Sequence, residues 1–330
     1  MKVGEKMKAL VIKEYGSPNK LSIEEVPKPI IKSNEVLVKI KAVSINDFDL
    51  GIIEGKSLAN RLLAGLFRPK MQILGSDIAG VIEEIGESVT KFKIGDKVYG
   101  DLSNNKFGGF AEYVATSEKH LCRIAEGMPF DIAAAIPQAG MLAYQALYDF
   151  SEIIEGQKIL INGAGGGVGT FAVQMLREHK VHLTGVDTEV KKEMLLKLGY
   201  DEFIDYKKTD ITEQSTEYDV IIDCKTNKSP RNYSKILKEK GMYITIGGDI
   251  PKVIRIMFMS KYLEKKYGRA FKCVILHTNR NLPEINKMFE EGDLTSIIDP
   301  RRFTLETGRE AMEYYATGEQ LGKVLIVVEE

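Results

Sequence analysis

The sequence predicts an α/β protein of two domains, one β-rich and irregular, the other a doubly wound parallel sheet. Three observations lead there. The chain has 330 residues, 44% of them hydrophobic and 28% charged, and single cores stop growing near ~300 residues, so two cores are expected. Its texture changes near residue 130, from short β-rich runs punctuated by Gly and Pro to strands that alternate with helices. A glycine cluster, Gly163 to Gly169, then lies between an apolar run and a helical pattern, the junction at which such sheets hold ligands.

Taken in order, the β-rich runs are Ala9 to Ile12, Glu35 to Val43, Ile78 to Ile82 and Lys97 to Tyr99. Asp131 to Phe150 reads as helical with an interruption near Pro137, because proline removes a donor and crowds the preceding turn. Lys158 to Asn162 reads as a buried strand, Thr170 to His179 as a helix, Val181 to Val186 as a strand and Lys191 to Leu198 as a helix. Val220 to Asp223 (strand), Tyr233 to Lys240 (helix), Tyr243 to Ile246 (strand) and Lys272 to Leu276 (strand) continue the pattern. Parallel neighbours need a crossover that covers the sheet face, which these helices provide. Helices at Leu282 to Glu291 and Glu306 to Tyr315 and a strand at Lys323 to Val328 end the chain.

Composition excludes several classes of partner. With 46 Lys+Arg against 47 Asp+Glu the formal charge is −1, so no overall field gathers nucleic acid or an anionic membrane. Three dispersed cysteines, Cys122, Cys224 and Cys273, suit reduced thiols better than a disulfide framework. Met1 to Lys6 is polar and the longest apolar runs fall short of the ~20 residues of a membrane span. A cytoplasmic protein is expected.

The glycine turn carries the chemistry. In Ala164-Gly165-Gly166-Gly167-Val168-Gly169 the first residue makes the tight turn and Gly166 lets backbone approach a pyrophosphate, while Gly169 permits close packing of helix on strand. The helix N-terminus adds unpaired N–H groups and the positive end of a dipole. Asp187 lies about 20 residues further on, where a carboxylate accepts hydrogen bonds from ribose hydroxyls and repels a 2′-phosphate. It is equally suited to cap the helix that follows, and the two roles can coexist. Lys191, Lys192 and Tyr206 stand where charge and hydroxyl can meet a 2′-phosphate, so the residues leave NADH against NADPH open.

The segment Gly156-Gln-x-x-Leu160-x-x-x-Ala164-Gly165-Gly166-Gly167-x-Gly169-x-x-x-x-Gln174-x-x-Arg177 resembles the signature of the zinc-independent quinone oxidoreductase branch of the medium-chain dehydrogenase/reductase superfamily. Leu74 to Val81, Val89 through Val98, Gly108 to Tyr113 and Gly322-Lys-Val324 are similar to the same branch. The resemblance implies a GroES-like catalytic domain from 1–125 and 278–330 and a Rossmann dinucleotide-binding domain from 126–277. It also implies that Gly247-Gly248 meets the carboxamide end of the cofactor, although a strand-to-helix turn needs glycine too.

Zinc-dependent relatives hold their metal where this chain has Asn46, Ser76 and the cysteine-free Ile136-Pro-Gln-Ala-Gly140, and Asn and Ser do not replace thiolate, imidazole or carboxylate ligands. No zinc is therefore expected. The resemblance then implies an NADPH- or NADH-dependent reductase passing hydride to a quinone or an activated alkene (enone) in the cleft between domains. Asn46 is the candidate polar contact at substrate or nicotinamide, with a turn-stabilising Asn as the plain alternative. Asp49 completes the Asn-x-x-Asp pattern and reads as structural. Ser57 stands where 2-enoyl thioester reductases carry a catalytic Tyr, which argues against a fatty-acyl role. The reading from another class is a dinucleotide-binding, crystallin-like protein with little turnover, and a zinc alcohol dehydrogenase comes third. The apolar strand at Lys272 to Leu276 would end the sheet in an exposed edge, so a homodimer is expected.

Overall fold

In the computed structural model, which describes residues 5–328, the run Lys158–Asn162 is a strand whose Ile159, Leu160 and Ile161 are wholly buried. A run without polar alternation belongs in a sheet covered on both faces. It is one of two central strands in a six-stranded, all-parallel sheet of Rossmann type. The order is Glu202–Asp205, His182–Asp187, Lys158–Asn162, Tyr218–Asp223, Leu237–Thr245 and Ala270–Cys273. Strand order reverses at Lys158–Asn162, and the glycine turn leaves the carboxyl end of that strand at the reversal, the place where open α/β sheets bind ligands. The helix Gly167–Met175 follows at once, buried from Gly169 to Met175, as expected of a helix apolar all round.

Contacts divide the chain into two units, with the breaks between Gln138 and Ala139 and between His277 and Thr278. The unit without the parallel sheet is built on a mixed sheet. Its strands run Phe303–Thr304, Leu325–Val327, Glu35–Ser44, Asp77–Ile85, Lys97–Asp101 and Cys122–Arg123, with Tyr113–Ser117 also paired to Glu35–Ser44. A separate hairpin joins Lys6–Ile12 to Leu21–Pro27. Val36, Val38, Ile40, Val43, Ile78 and Ile326 centre its core. No helix among the described residues is long and apolar enough to cross a membrane.

Several local expectations are corrected. The glycine helix begins at Gly167 rather than Thr170, because a first turn needs no side-chain propensity once its orphan N–H groups face outward. Leu237 to Lys240, expected in a helix, belongs to the strand Leu237–Thr245. Leu237 pairs with Tyr218, and burial of both overrides local preference. An unanticipated helix, Ile250–Tyr267, fills the gap before the last strand of the sheet. That strand ends at Cys273, paired with Thr245, the last residue of its neighbour strand, and beyond it the Gln145 side chain grips the backbone of His277, its Nε2 donating to the carbonyl at 3.0 Å and its Oε1 accepting the N–H at 3.0 Å. Residues 126–138, which the resemblance assigned to the Rossmann domain, cluster with the mixed-sheet unit. There Ser296 Oγ donates to Ile132 O at 2.8 Å.

Candidate functional site

The glycine turn is held from behind and open in front. Gly163, at φ +89°, and Ala164 donate their N–H groups to Val186 O at 3.0 and 3.1 Å, which ties the turn to the neighbouring strand. Gly165 N–H goes to Asp187 Oδ2 at 2.9 Å. The N–H groups of Gly167, Val168 and Gly169 have no carbonyl four residues back within the helix. Gly166, Gly167 and Val168 are part-exposed, whereas Gly165 and Gly169 are buried. A Cβ on Gly166 would meet only Gly163 O, at 3.4 Å, while one on Gly169 would lie 2.3 Å from Ala164 O and 2.5 Å from Ala164 Cα. One glycine thus leaves space in front of the helix, and the other lets the helix close on the turn. A diphosphate fits this cradle, which offers uncommitted N–H donors at the positive end of a helix dipole.

At the next strand end, Asp187 is committed on three sides, to Gly165 N–H, to Thr188 N–H at 2.9 Å and to Lys191 Nζ at 3.3 Å. Both partners of that ion pair are buried. Tyr206 is half-exposed, with its backbone N–H on Asp187 O at 3.2 Å. Gly248 has φ +103°, and a Cβ there would fall 1.9 Å from Lys225 O, so the turn demands glycine. Gly247 has open space over its Cα, and its carbonyl accepts from Thr226 Oγ1 at 2.5 Å.

The mixed-sheet unit holds a second polar site. Asn46 precedes the helix Asp47–Glu54 and is buried with Ser76, Asp77, Asp49 and Lys323. Lys323 Nζ donates to Asn46 Oδ1 at 2.5 Å and Ile45 O at 3.3 Å and lies 3.6 Å from Asp77 Oδ2. An ammonium only donates, so the Asn46 amide must turn its oxygen toward the lysine and its nitrogen away. Asn46 Nδ2 donates to Ser76 Oγ at 3.1 Å. Asp49 accepts the N–H groups of Asn46 and Gly75, each at 3.0 Å, and pins the two loops together. Burial, with the charge of Asp77, pushes the Asp49 carboxyl up to about 7 against those two donors. Burial also raises Asp77, opposed chiefly by Lys323, and lowers Lys323.

Of the residues singled out from sequence, Ala164 to Gly169, Asp187, Lys191 and Tyr206 gather at adjacent strand ends of the parallel sheet. Asn46 belongs to the other unit. Ser57 caps the helix Leu58–Ala64, accepting the N–H of Ala59 at 3.2 Å. Lys323 was missed as a site residue, although it stands in Gly322-Lys-Val324, a segment similar to the branch, and directly before the apolar run Val324 to Val328.

Residues 32–126 match the alcohol dehydrogenase GroES-like domain family and residues 198–326 the zinc-binding dehydrogenase family. A 2-methylene-furan-3-one reductase of Solanum lycopersicum is 31% identical over 332 residues, covering 97% of this chain and 79% of that protein. The chain belongs to the quinone oxidoreductase and alkenal/one reductase branch of the medium-chain dehydrogenase/reductase superfamily. Within this branch a chloroplastic NADPH-dependent alkenal/one oxidoreductase of Arabidopsis thaliana is 29% identical over 338 residues, 98% of this chain and 80% of that protein. The solved quinone oxidoreductase from Coxiella burnetii superposes with a TM-score of 0.87 at 28% identity, covering 98% of this chain and all of that one. Although one matching family is described as zinc-binding, this branch member's donor set does not suit the metal. Asn46 and Ser76 offer amide and hydroxyl, Gln138 gives its backbone N–H to Asp77 at 3.1 Å, and the positive centre among them is the Lys323 ammonium. Among the described residues no three His, Cys, Asp or Glu side chains gather as a metal site.

Proposed function

We propose that the chain is a metal-independent reductase that takes a reduced nicotinamide dinucleotide on the Gly163 to Gly169 turn and reduces a quinone or an activated alkene. The observation that carries this reading is the cradle, in which the side chain omitted at Gly166 leaves the first-turn N–H groups open to a diphosphate. Gly166, Gly167 and Val168 would hold the pyrophosphate, Ala164 and Gly165 shape the turn, Asp187, Lys191 and Tyr206 border the adenosine ribose, and Gly247 and Gly248 face the carboxamide. The cofactor, when bound, supplies the hydride. Quinones and enones are already electron-poor, so the protein has only to stabilise the oxyanion that develops, a contribution of a few kcal/mol from oriented donors. Asn46 is set up for that role because Lys323 holds its amide oxygen, leaving the nitrogen as the group that faces other partners. The test is oxidation of NADH and NADPH against a panel of quinones and enones in the presence of a chelator. Turnover with at least one acceptor supports the reading, and none across the panel refutes it.

One observation favours a dinucleotide-binding protein with little turnover. Asn46 is 5% exposed and its amide is already shared between Lys323 and Ser76, and such a protein would bind cofactor without oxidising it. We also propose a homodimer formed through Ala270–Cys273, the end strand of the parallel sheet, which has a neighbour on one side only. Solution mass tests this. Cys122, Cys224 and Cys273, none of them in a disulfide, suit a reducing, cytoplasmic setting.

A further inference from the structure

The helix Ile250–Tyr267 has apolar side chains on two sides, and its packing uses only one of them. Ile256 and Leu263 are buried in the core with Tyr243 and Phe271, and Met259 and Tyr267 pack beside them. At 3.6 residues per turn these four helix positions fall on one side. On the other side Phe258 is 78% exposed, Tyr262 54%, Ile254 43% and Met257 38%. Ile254, Phe258 and Tyr262 follow one another at four-residue spacing and form a ridge. Single exposed apolar residues are ordinary, but a contiguous patch marks an interaction surface.

Positive charge collects on the same helix. It carries five cations, Lys252, Arg255, Lys261, Lys265 and Lys266, against one acid, Glu264, whereas the whole chain sums to −1. Lys252 lies 2.8 Å from Asp249, the capping residue. Arg255, Lys261 and Lys265 are exposed and form no ion pair among the described residues. Lys266 stands over the rings of Tyr262 and Tyr267, 5.7 and 5.3 Å from their centroids. Helical spacing puts Lys261 and Lys265 on the ridge side, with Arg255 and Lys266 along its border. The outward face is thus apolar in its first turns and basic in its last.

An acidic lipid surface complements both halves, because aromatic and aliphatic tips enter the headgroup boundary while lysine and arginine meet anionic headgroups. A second copy of this chain would bring the same cations to the contact, and like charges oppose it. Pairing through the edge strand Ala270–Cys273 would extend the sheet in its own plane and leave the outward side of this helix uncovered.

We propose that the helix Ile250–Tyr267 docks this chain reversibly on an anionic bilayer, with Ile254, Phe258 and Tyr262 entering the headgroup boundary and Arg255, Lys261, Lys265 and Lys266 binding acidic headgroups. The surface stands independently of the dinucleotide site. The purified chain should co-sediment with phosphatidylcholine vesicles containing roughly one-third phosphatidylglycerol, with an apparent affinity at least ~10-fold above that for phosphatidylcholine alone, and the difference should fade as salt rises toward ~0.5 M. Lys261→Glu with Lys265→Glu, and separately Ile254→Ser with Phe258→Ser, should each lower affinity for the acidic vesicles about tenfold. All four side chains are exposed, so both variants should keep the wild-type unfolding midpoint. Lys32→Glu with Lys56→Glu makes the same change in net charge at exposed positions away from the helix and should bind as wild type. Absence of preference for the acidic vesicles, or an equal loss in the Lys32 and Lys56 variant, overturns the proposal. So does an Ile254 and Phe258 variant that turns a dimer into a monomer while vesicle binding persists, since the ridge would then be a contact between copies. The lipid comparison uses the wild-type chain alone, so it decides the question even where a variant fails to fold.

Discussion

Two glycines three residues apart are expected to respond oppositely to the same added methyl group. At Gly169 the methyl would be placed 2.3 Å from Ala164 O, 2.5 Å from Ala164 Cα and 2.6 Å from Ala164 C. All three atoms are backbone, in a turn anchored to Val186 O at 3.0 and 3.1 Å, so the strain cannot be relieved by a side-chain rotation. Overpacking costs about 1–3 kcal/mol where side chains can adjust. Here about 3 kcal/mol or more is expected, a fall of roughly 6–12 °C in unfolding midpoint for a domain of this size. At Gly166 the backbone has φ −87° and ψ 176°, open to any residue, and the methyl meets only Gly163 O at 3.4 Å. Gly166→Ala should therefore unfold within about 1 kcal/mol of wild type, since a weaker N-cap is offset by lower unfolded-state entropy. It should nevertheless bind cofactor at least ~10-fold more weakly, about 1.4 kcal/mol, because the methyl stands where the diphosphate approaches. Differential scanning fluorimetry and calorimetric titration of both variants give the two readouts. Normal cofactor binding by Gly166→Ala, or normal stability of Gly169→Ala, would refute the assignment of that glycine.

Three further outcomes are expected. Lys323→Met leaves Asp77 buried without its cation and should cost about 3–5 kcal/mol in chemical denaturation, and a loss under about 1 kcal/mol would show that the pair carries little. Dialysis against a chelator should leave cofactor binding and turnover unchanged, and loss of either that zinc restores would contradict the reading of Asn46, Ser76 and Gln138. The third concerns Asp49, whose folded carboxyl titrates at about 7 against 3.8 ordinarily, through burial first. Between those values the folded chain keeps a proton that the unfolded chain releases, so this group's contribution falls as pH rises through the window, by up to about 1.4 kcal/mol per unit. His120, lowered by burial, acts in the opposite sense, so the useful comparison is wild type against Asp49→Asn in urea from pH 5 to pH 8. Wild type should lose stability relative to the variant as pH rises, and a constant difference would contradict the shift.

What could be read in advance follows from how local each signal is. The strand Lys158–Asn162 was legible to the residue, because its apolar run is bounded by Gln157 and Gly163 and needs no partner to be recognised. The glycine turn was legible for the same reason, with only the helix start displaced. The segment Leu237 to Lys240 was misread because its pairing with Tyr218 is a tertiary fact. The helix Ile250–Tyr267 escaped notice since Ile254, Phe258 and Tyr262 are exposed and blur the apolar stripe, although its ends were signalled by Asp249, whose side chain caps it, and by Gly268 at φ +66°. Lys323 was the least legible of all. A lysine beside a strand ordinarily lies at the surface, and nothing nearby in sequence announces that Asn46, 277 positions away, accepts its proton at 2.5 Å.

The central claim is that the open face of Gly166, Gly167 and Val168 receives the diphosphate of a reduced nicotinamide dinucleotide. The most direct measurement is calorimetric titration of the purified wild-type chain with NADH and, separately, NADPH. One cofactor bound per chain, saturably and with displacement by adenosine 5′-diphosphate, is the predicted result. Saturable binding of neither would contradict the account at its root.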